Sequence, residues 1–150
     1  MADATDVLLK FCEQQWTEAK QSEDQRATFT NIILLIASAV VGVIAQKGMS
    51  KGMLPISILL ILLGIFGAVV SRKLYERHQF HIARLRGWRG RVMELHPDAQ
   101  LDDLKKLAVE MHDKAFPVMS SVRLNHLWII LHATVAMAGV ILTIVIAIKS

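Results

Sequence analysis

The residues best able to do chemistry in this 150-residue chain are its six histidines, because imidazole binds metals and transfers protons near neutral pH. His78 and His81 are three apart, which places two ligands on one helix face, and His112 is followed by Asp113. No cysteine pair and no His-Glu-x-x-His accompanies them, so the spacing does not define a metal centre. Arg91 with His96, and Arg72 with His78, would let a guanidinium hold phosphate while an imidazole moves a proton. In a stretch this rich in Arg and His such pairs are expected by chance. The chain has no serine elbow, no phosphate-binding glycine loop and no paired aspartates in an apolar run. The sequence makes no case for an enzyme, a catalytic residue, a metal or a cofactor.

Two further features bear on binding. Arg77, Arg84 and Arg91 fall seven apart and so form a basic stripe on a helix, suited to anionic lipid, nucleic acid or a nucleotide. The simpler reading is a solvated face that sets membrane topology. His96-Pro97-Asp98, which follows this basic helix, resembles the loop by which J-domain co-chaperones engage an Hsp70 partner. That resemblance implies a membrane-anchored adaptor with His96, Pro97 and Asp98 as its interaction loop. The simpler reading is a helix stop, because a residue before proline leaves helical geometry, followed by Asp98 as a cap.

The elements that must position these residues are apolar. Hydrophobic residues make up 53% of the chain, and most lie in three charge-free runs, Ala27–Gln46, Gly52–Ser71 and Leu124–Ile148. Each run reaches the roughly 20 residues a helix needs to cross a bilayer. A soluble bundle would break such runs with charges on its wet face. The expected fold is all-α: an integral membrane protein with spans over 29–46, 53–71 and 127–148 and a small cytoplasmic helical bundle. No Asp, Glu, Lys or Arg lies in the spans. That disfavours ion-coupled transporters, which keep an ionisable group at mid-membrane. Ser38 and Gly42, and Gly64 and Ala68, are four apart, a spacing of small residues that lets membrane helices approach closely.

Charge gives the orientation. Near the span ends, Lys20, Arg26, Arg72, Lys73, Arg77, Arg84 and Arg123 share one side, against three lysines on the other. The N-terminus and residues 72–126 are therefore expected in the cytoplasm and the C-terminus outside, with Trp128 at the interface. The acidic N-terminus has no run long enough for a signal core. Cys12, the only cysteine, leaves no intrachain disulfide.

The aqueous segments read as helices with one apolar stripe each. Residues 1–28 form the first, capped by Thr5 or Asp6, with Leu8, Cys12, Trp16 and Ala19 on its buried face. It can run straight into the first span. The basic stalk buries Leu74, His78, Ile82 (or His81), Leu85, Trp88, Val92 and Leu95, and Gly87 and Gly90 offer a bend. Leu101, Leu104, Ala108, Met111 and Ala115 share a face of a shorter helix, which Phe116-Pro117 stops. Ser120 or Ser121 starts the last helix, which ends at Lys149-Ser150. The pieces predict a small antiparallel bundle built on the spans.

Residues 10–95 combine an amphipathic helix with Glu13, Trp16 and Arg26, a tight hairpin through KGMSKGM, and a stalk beginning SRKLYERHQFHIARLRGWR. This plan resembles the SLATT family of bacterial membrane effectors, to which the chain adds a third span. The resemblance implies a homo-oligomer in the bacterial inner membrane, forming or perturbing a pore in conflict and phage defence. Its partners would be the lipid bilayer, further copies, and a protein or nucleotide at the cytoplasmic face.

Overall fold

The computed structural model describes residues 3–149, which form four α-helices joined by short turns, with no strand among them. Helix α1 runs over Ala4–Lys47 without interruption. Its first 38 residues contain neither Pro nor Gly, so nothing separates the amphipathic segment from the apolar run that follows. It stops where Gly48 takes φ 78° and its N–H donates to the Ile44 carbonyl at 3.0 Å, a left-handed glycine closure. Helix α2 runs over Leu54–Leu95. Pro55 sits in its first turn, where a missing N–H costs nothing. Gly87 and Gly90, expected to allow a bend, lie inside the unbroken helix. The end falls just before His96-Pro97, as the proline requires.

Helix α3 covers Leu101–Ala115 and α4 covers Leu124–Lys149. Phe116-Pro117 stops α3 as expected. Three expected caps do not form. Helix α1 begins at Ala4, ahead of Thr5 and Asp6, and the Thr5 hydroxyl instead meets His96. Asp98 is used up in a 3-10 turn over Pro97–Ala99, so Gln100, at φ 47°, precedes α3 without a side-chain cap. Ser120 and Ser121 belong to another such turn, and the Ser121 hydroxyl donates back to Val118 O at 2.7 Å. Ser150 lies outside the described residues. Helix α1, the stretch Lys51–Leu95 and α4 are each long and apolar enough to cross a membrane.

The chain divides into two compact units, residues 24–75 with 124–149, and residues 3–23 with 76–123. In the first, three helix faces meet with nearly one repeat. Helix α2 buries Ser57, Leu60, Gly64, Gly67 and Ser71, and α4 buries Asn125, His132, Val135, Gly139 and Ile146. Alternating steps of three and four, with Trp128 and Leu142 half-buried in the gaps of α4, are the seam of a coiled coil. Helix α1 contributes Arg26, Thr30, Ile33, Ala37, Val40 and Ile44. Steps of four on both sides of Arg26 make this the one stutter in the α1 seam, which locally unwinds the supercoil.

Glycines set how close these helices come. A Cβ at Gly64 would run into the Ala136 backbone, and one at Gly139 would lie 2.7 Å from the Ile61 amide nitrogen. Gly42 has nothing within 4 Å of that position. The apolar core is Ala37, Val40, Ile44, Leu60 and Val135.

In the other unit, α1 presents Leu8, Cys12, Gln15, Ala19 and Ser22 to a face of α2 formed by His78, His81, Leu85, Trp88 and Val92. Of the two residues read as alternatives for this face, His81 is the more buried. Trp16, expected on the seam, is 57% exposed. Gln15 takes its place because the three–four alternation runs from Cys12 to Gln15 and then Ala19. Phe11 and Trp88 stack at 5.4 Å. Helix α3, expected to join a bundle, stays uncovered: every residue in it except Leu101 is exposed, Leu104 by 60% and Met111 by 64%.

Candidate functional site

The unit with the most apolar helices keeps five polar side chains of its charge-free runs, Thr30, Ser57, Ser71, Asn125 and His132, inside along with Arg26, whereas Thr28, Asn31, Ser38 and Thr134 are exposed. Arg26 is 2% exposed. Its Nη1 donates to Asn125 Oδ1 at 3.4 Å, and its guanidinium lies 5.3 Å from the Trp128 ring and 5.8 Å from the Tyr75 ring. A buried charge is tolerable only with such company, and aromatic faces supply part of it through cation–π attraction. The stutter is what turns this side chain inward: the extra four-residue step keeps both Arg26 and Thr30 on the seam.

One turn further along α1, Thr30 Oγ1 and His132 Nε2 are 3.2 Å apart, both buried. The other imidazole nitrogen, His132 Nδ1, is buried with no hydrogen-bond partner. A Cβ at Gly67 would run into this ring, so glycine is what gives the imidazole its place. Ser71 Oγ and Trp128 Nε1 are likewise buried without partners. Farther along the seam, Thr143 Oγ1 donates to Ser57 Oγ at 2.9 Å. The buried polar residues of the apolar helices thus form an inward-facing seam with several bonds made and several left unmade. Buried polar atoms short of a partner cost free energy and draw water or a polar ligand into an apolar bundle.

No family model matches this chain, and no curated protein or solved structure matches it.

Ser38 and Gly42, expected to pack against another helix, lie on the open side of α1. With Ala37, Leu60, Thr134 and Ala138 they line an apolar groove of about 540 Å³. Gly64 packs directly on Ala136 and Ala68 is half-buried. Arg77, Arg84 and Arg91 each have a local neighbour. Arg77 Nη2 is 3.8 Å from Glu18 Oε2, Arg84 lies 5.4 Å from the Phe80 ring, and Arg91 Nη1 donates to Glu94 Oε2 at 2.6 Å. The stripe is therefore partly neutralised along its own length.

His78 and His81 face α1 instead of a shared ion. His78 Nδ1 donates to the Ala19 carbonyl at 3.1 Å, with Glu23 Oε1 at 3.6 Å. His81 Nδ1 donates to Gln15 Oε1 at 3.0 Å. Among the described residues, no three His, Cys, Asp or Glu gather as a metal would require. His96, Pro97 and Asp98 are exposed; His96 and Pro97, but not Asp98, line a cavity of about 500 Å³ with Glu94 and Asp102. His96 Nε2 lies 3.0 Å from Thr5 Oγ1. Cys12 is half-buried; burial raises its thiol pKa, and the Arg89 charge nearby works the other way.

Sequence reasoning passed over Gln15, Thr30 and Asn125, and read Arg26 as a charge near a span end and part of the first amphipathic helix, not as a buried group. The available signal was their spacing. Each lies at a three- or four-residue step from the next seam position, which a polar residue keeps only if it has a partner inside.

Proposed function

We propose that this chain is an integral membrane protein of the bacterial inner membrane that works as a homo-oligomer, a pore-forming or membrane-perturbing effector. Its N-terminus and residues 72–126 face the cytoplasm, and its C-terminus lies outside. The resemblance to SLATT effectors supports this reading. The observation that carries it is the inward polar seam. Helices built from charge-free runs bury Thr30, Ser57, Ser71, Asn125 and His132, some with polar atoms unpartnered, and half-bury Thr143. Such a seam is poorly suited to a permanently dry bundle and well suited to one that admits water on opening. The uncovered apolar face of α3 supports self-association, since an exposed Leu/Met stripe on a helix is a contact surface in search of a partner. Helices α1 and α2 each pass unbroken from one unit into the other, a route by which the cytoplasmic pieces control the spans.

The test is expression in bacteria with a potential-sensitive dye, alongside cross-linking of the protein in mild detergent. Multimers together with a collapse of membrane potential are expected. A monomeric protein in cells that keep their potential overturns the reading.

A further inference from the structure

We infer that the unit of residues 3–23 and 76–123 carries a binding site for a mononucleotide, built on Trp16, Arg86, Arg89 and Lys105. This goes beyond the proposed membrane activity and does not rest on it. A groove of about 300 Å³ is lined by these four residues over a floor of Ile82, Leu85 and Met93. Three cations surround it and no acid lines it. The three come from two elements, α2 and α3, so one helix surface does not account for them. Arg86 and Arg89 are three apart and share a face of α2.

The contrast with the arginine stripe decides what these cations are for. Arg77, Arg84 and Arg91 are each occupied by an acid or a ring within the chain. Arg86, Arg89 and Lys105 make no ion pair or hydrogen bond among the described residues. Three cations held together without an anion repel one another, which a bound polyanion relieves. Guanidinium groups favour phosphate because their planar forks match its oxygens in pairs.

Trp16 selects the rest of the ligand. A tryptophan left 57% exposed beside cations offers a flat apolar face on which a base can stack. The apolar floor excludes a bare inorganic ion as the best occupant, and the volume sits at the small end of organic-ligand sites. A phospholipid headgroup fits less well, because it carries no aromatic ring to stack on Trp16.

The experiment is equilibrium dialysis of the full chain, in neutral detergent, against AMP, GMP, CMP and UMP. Comparators are inorganic phosphate, the matching nucleosides, phosphatidylglycerol vesicles and a single-stranded RNA. At least one mononucleotide is expected to bind saturably, one per chain, at least about tenfold tighter than its nucleoside or phosphate alone. Trp16→Ala, Arg89→Gln and Arg86→Gln should each weaken it by about tenfold or more, with thermal melts unchanged. Arg84→Gln, from the occupied stripe, should leave it as it was. The inference is overturned if no mononucleotide binds, if phosphate alone binds as well, or if Arg84→Gln weakens binding as much as Arg89→Gln. It is also overturned if the vesicles or the RNA bind in preference.

Discussion

The two units use the same repeat on the same two helices and finish it differently. Around residues 24–75 and 124–149, a third helix closes the seam, and glycines at positions 64, 67 and 139 let it sit close enough that an added Cβ would collide. Around residues 3–23 and 76–123, only α1 and α2 share the seam, and α3 leaves its apolar residues in the open. The difference lies in what fills the seam. Where helices touch at glycine, polar groups bond from α1 to α4, as Arg26 does with Asn125 and Thr30 with His132, and from α4 to α2, as Thr143 does with Ser57. Where two helices meet, the polar pairs are His81 with Gln15 and His78 with the Ala19 carbonyl. A seam closed by backbone contact is intolerant of volume; a two-helix seam has an open side to yield into.

That contrast is broken most directly at Gly64. Replacing it with Leu forces a side chain into the Ala136 backbone and is expected to cost about 3 kcal/mol or more, since overpacking a tight contact displaces whole helices. Gly42→Leu, at a position with the same four-residue spacing of small residues, should be neutral or slightly stabilising, because that position is open and Leu is the better helix former. Thermal melts in detergent compare the two. If both lose stability equally, the glycine contact is not what closes this unit.

Much of the architecture was legible from the chain alone. Charge-free length gave the three long helices, and Pro97 and Pro117 gave the two stops, because both rest on local covalent geometry. The caps at Thr5, Asp98 and Ser120 were illegible for the opposite reason: each side chain had a competing use, in a bond to His96 or in a 3-10 turn, that only the folded chain creates. The seam was half legible. Apolar positions found it on the stalk half of α2, where Leu95, expected on the seam, is exposed because α2 ends there before His96-Pro97; on α1 the polar residues Gln15, Arg26 and Thr30 belong to it, and apolar periodicity passes over polar seam positions by construction. The site cations were illegible in another way. Regular sevenfold spacing drew attention to Arg77, Arg84 and Arg91, whereas the unoccupied Arg86 and Arg89 follow no repeat.

Arg26→Gln sharpens the comparison from the polar side. It keeps a hydrogen-bonding group near Asn125 but removes the charge from between Trp128 and Tyr75. The loss should be about 2 kcal/mol, the range for stranding buried polar partners, read from thermal melts in detergent. His81→Ala, on the seam with an open side, is expected to cost about half as much, since water can replace the imidazole there. Equal losses would mean that burial in the three-helix seam adds nothing to the bond.

The smallest effect is at Cys12, on the two-helix seam. Burial raises its thiol pKa and Arg89 lowers it, with burial the larger influence. The reactive species is the thiolate, so at pH 8 the folded chain should react with a thiol reagent more slowly than the denatured one. Accessibility alone would also slow the reaction, and pH separates the two causes. A raised pKa moves the rise in rate to higher pH, whereas steric cover lowers the rate at every pH alike. Arg89→Gln removes the opposing charge and should push the rise higher still. If the profile of the folded chain instead overlays the denatured one after scaling, this seam is covered but not dry, and the open side is wetter than the packing implies.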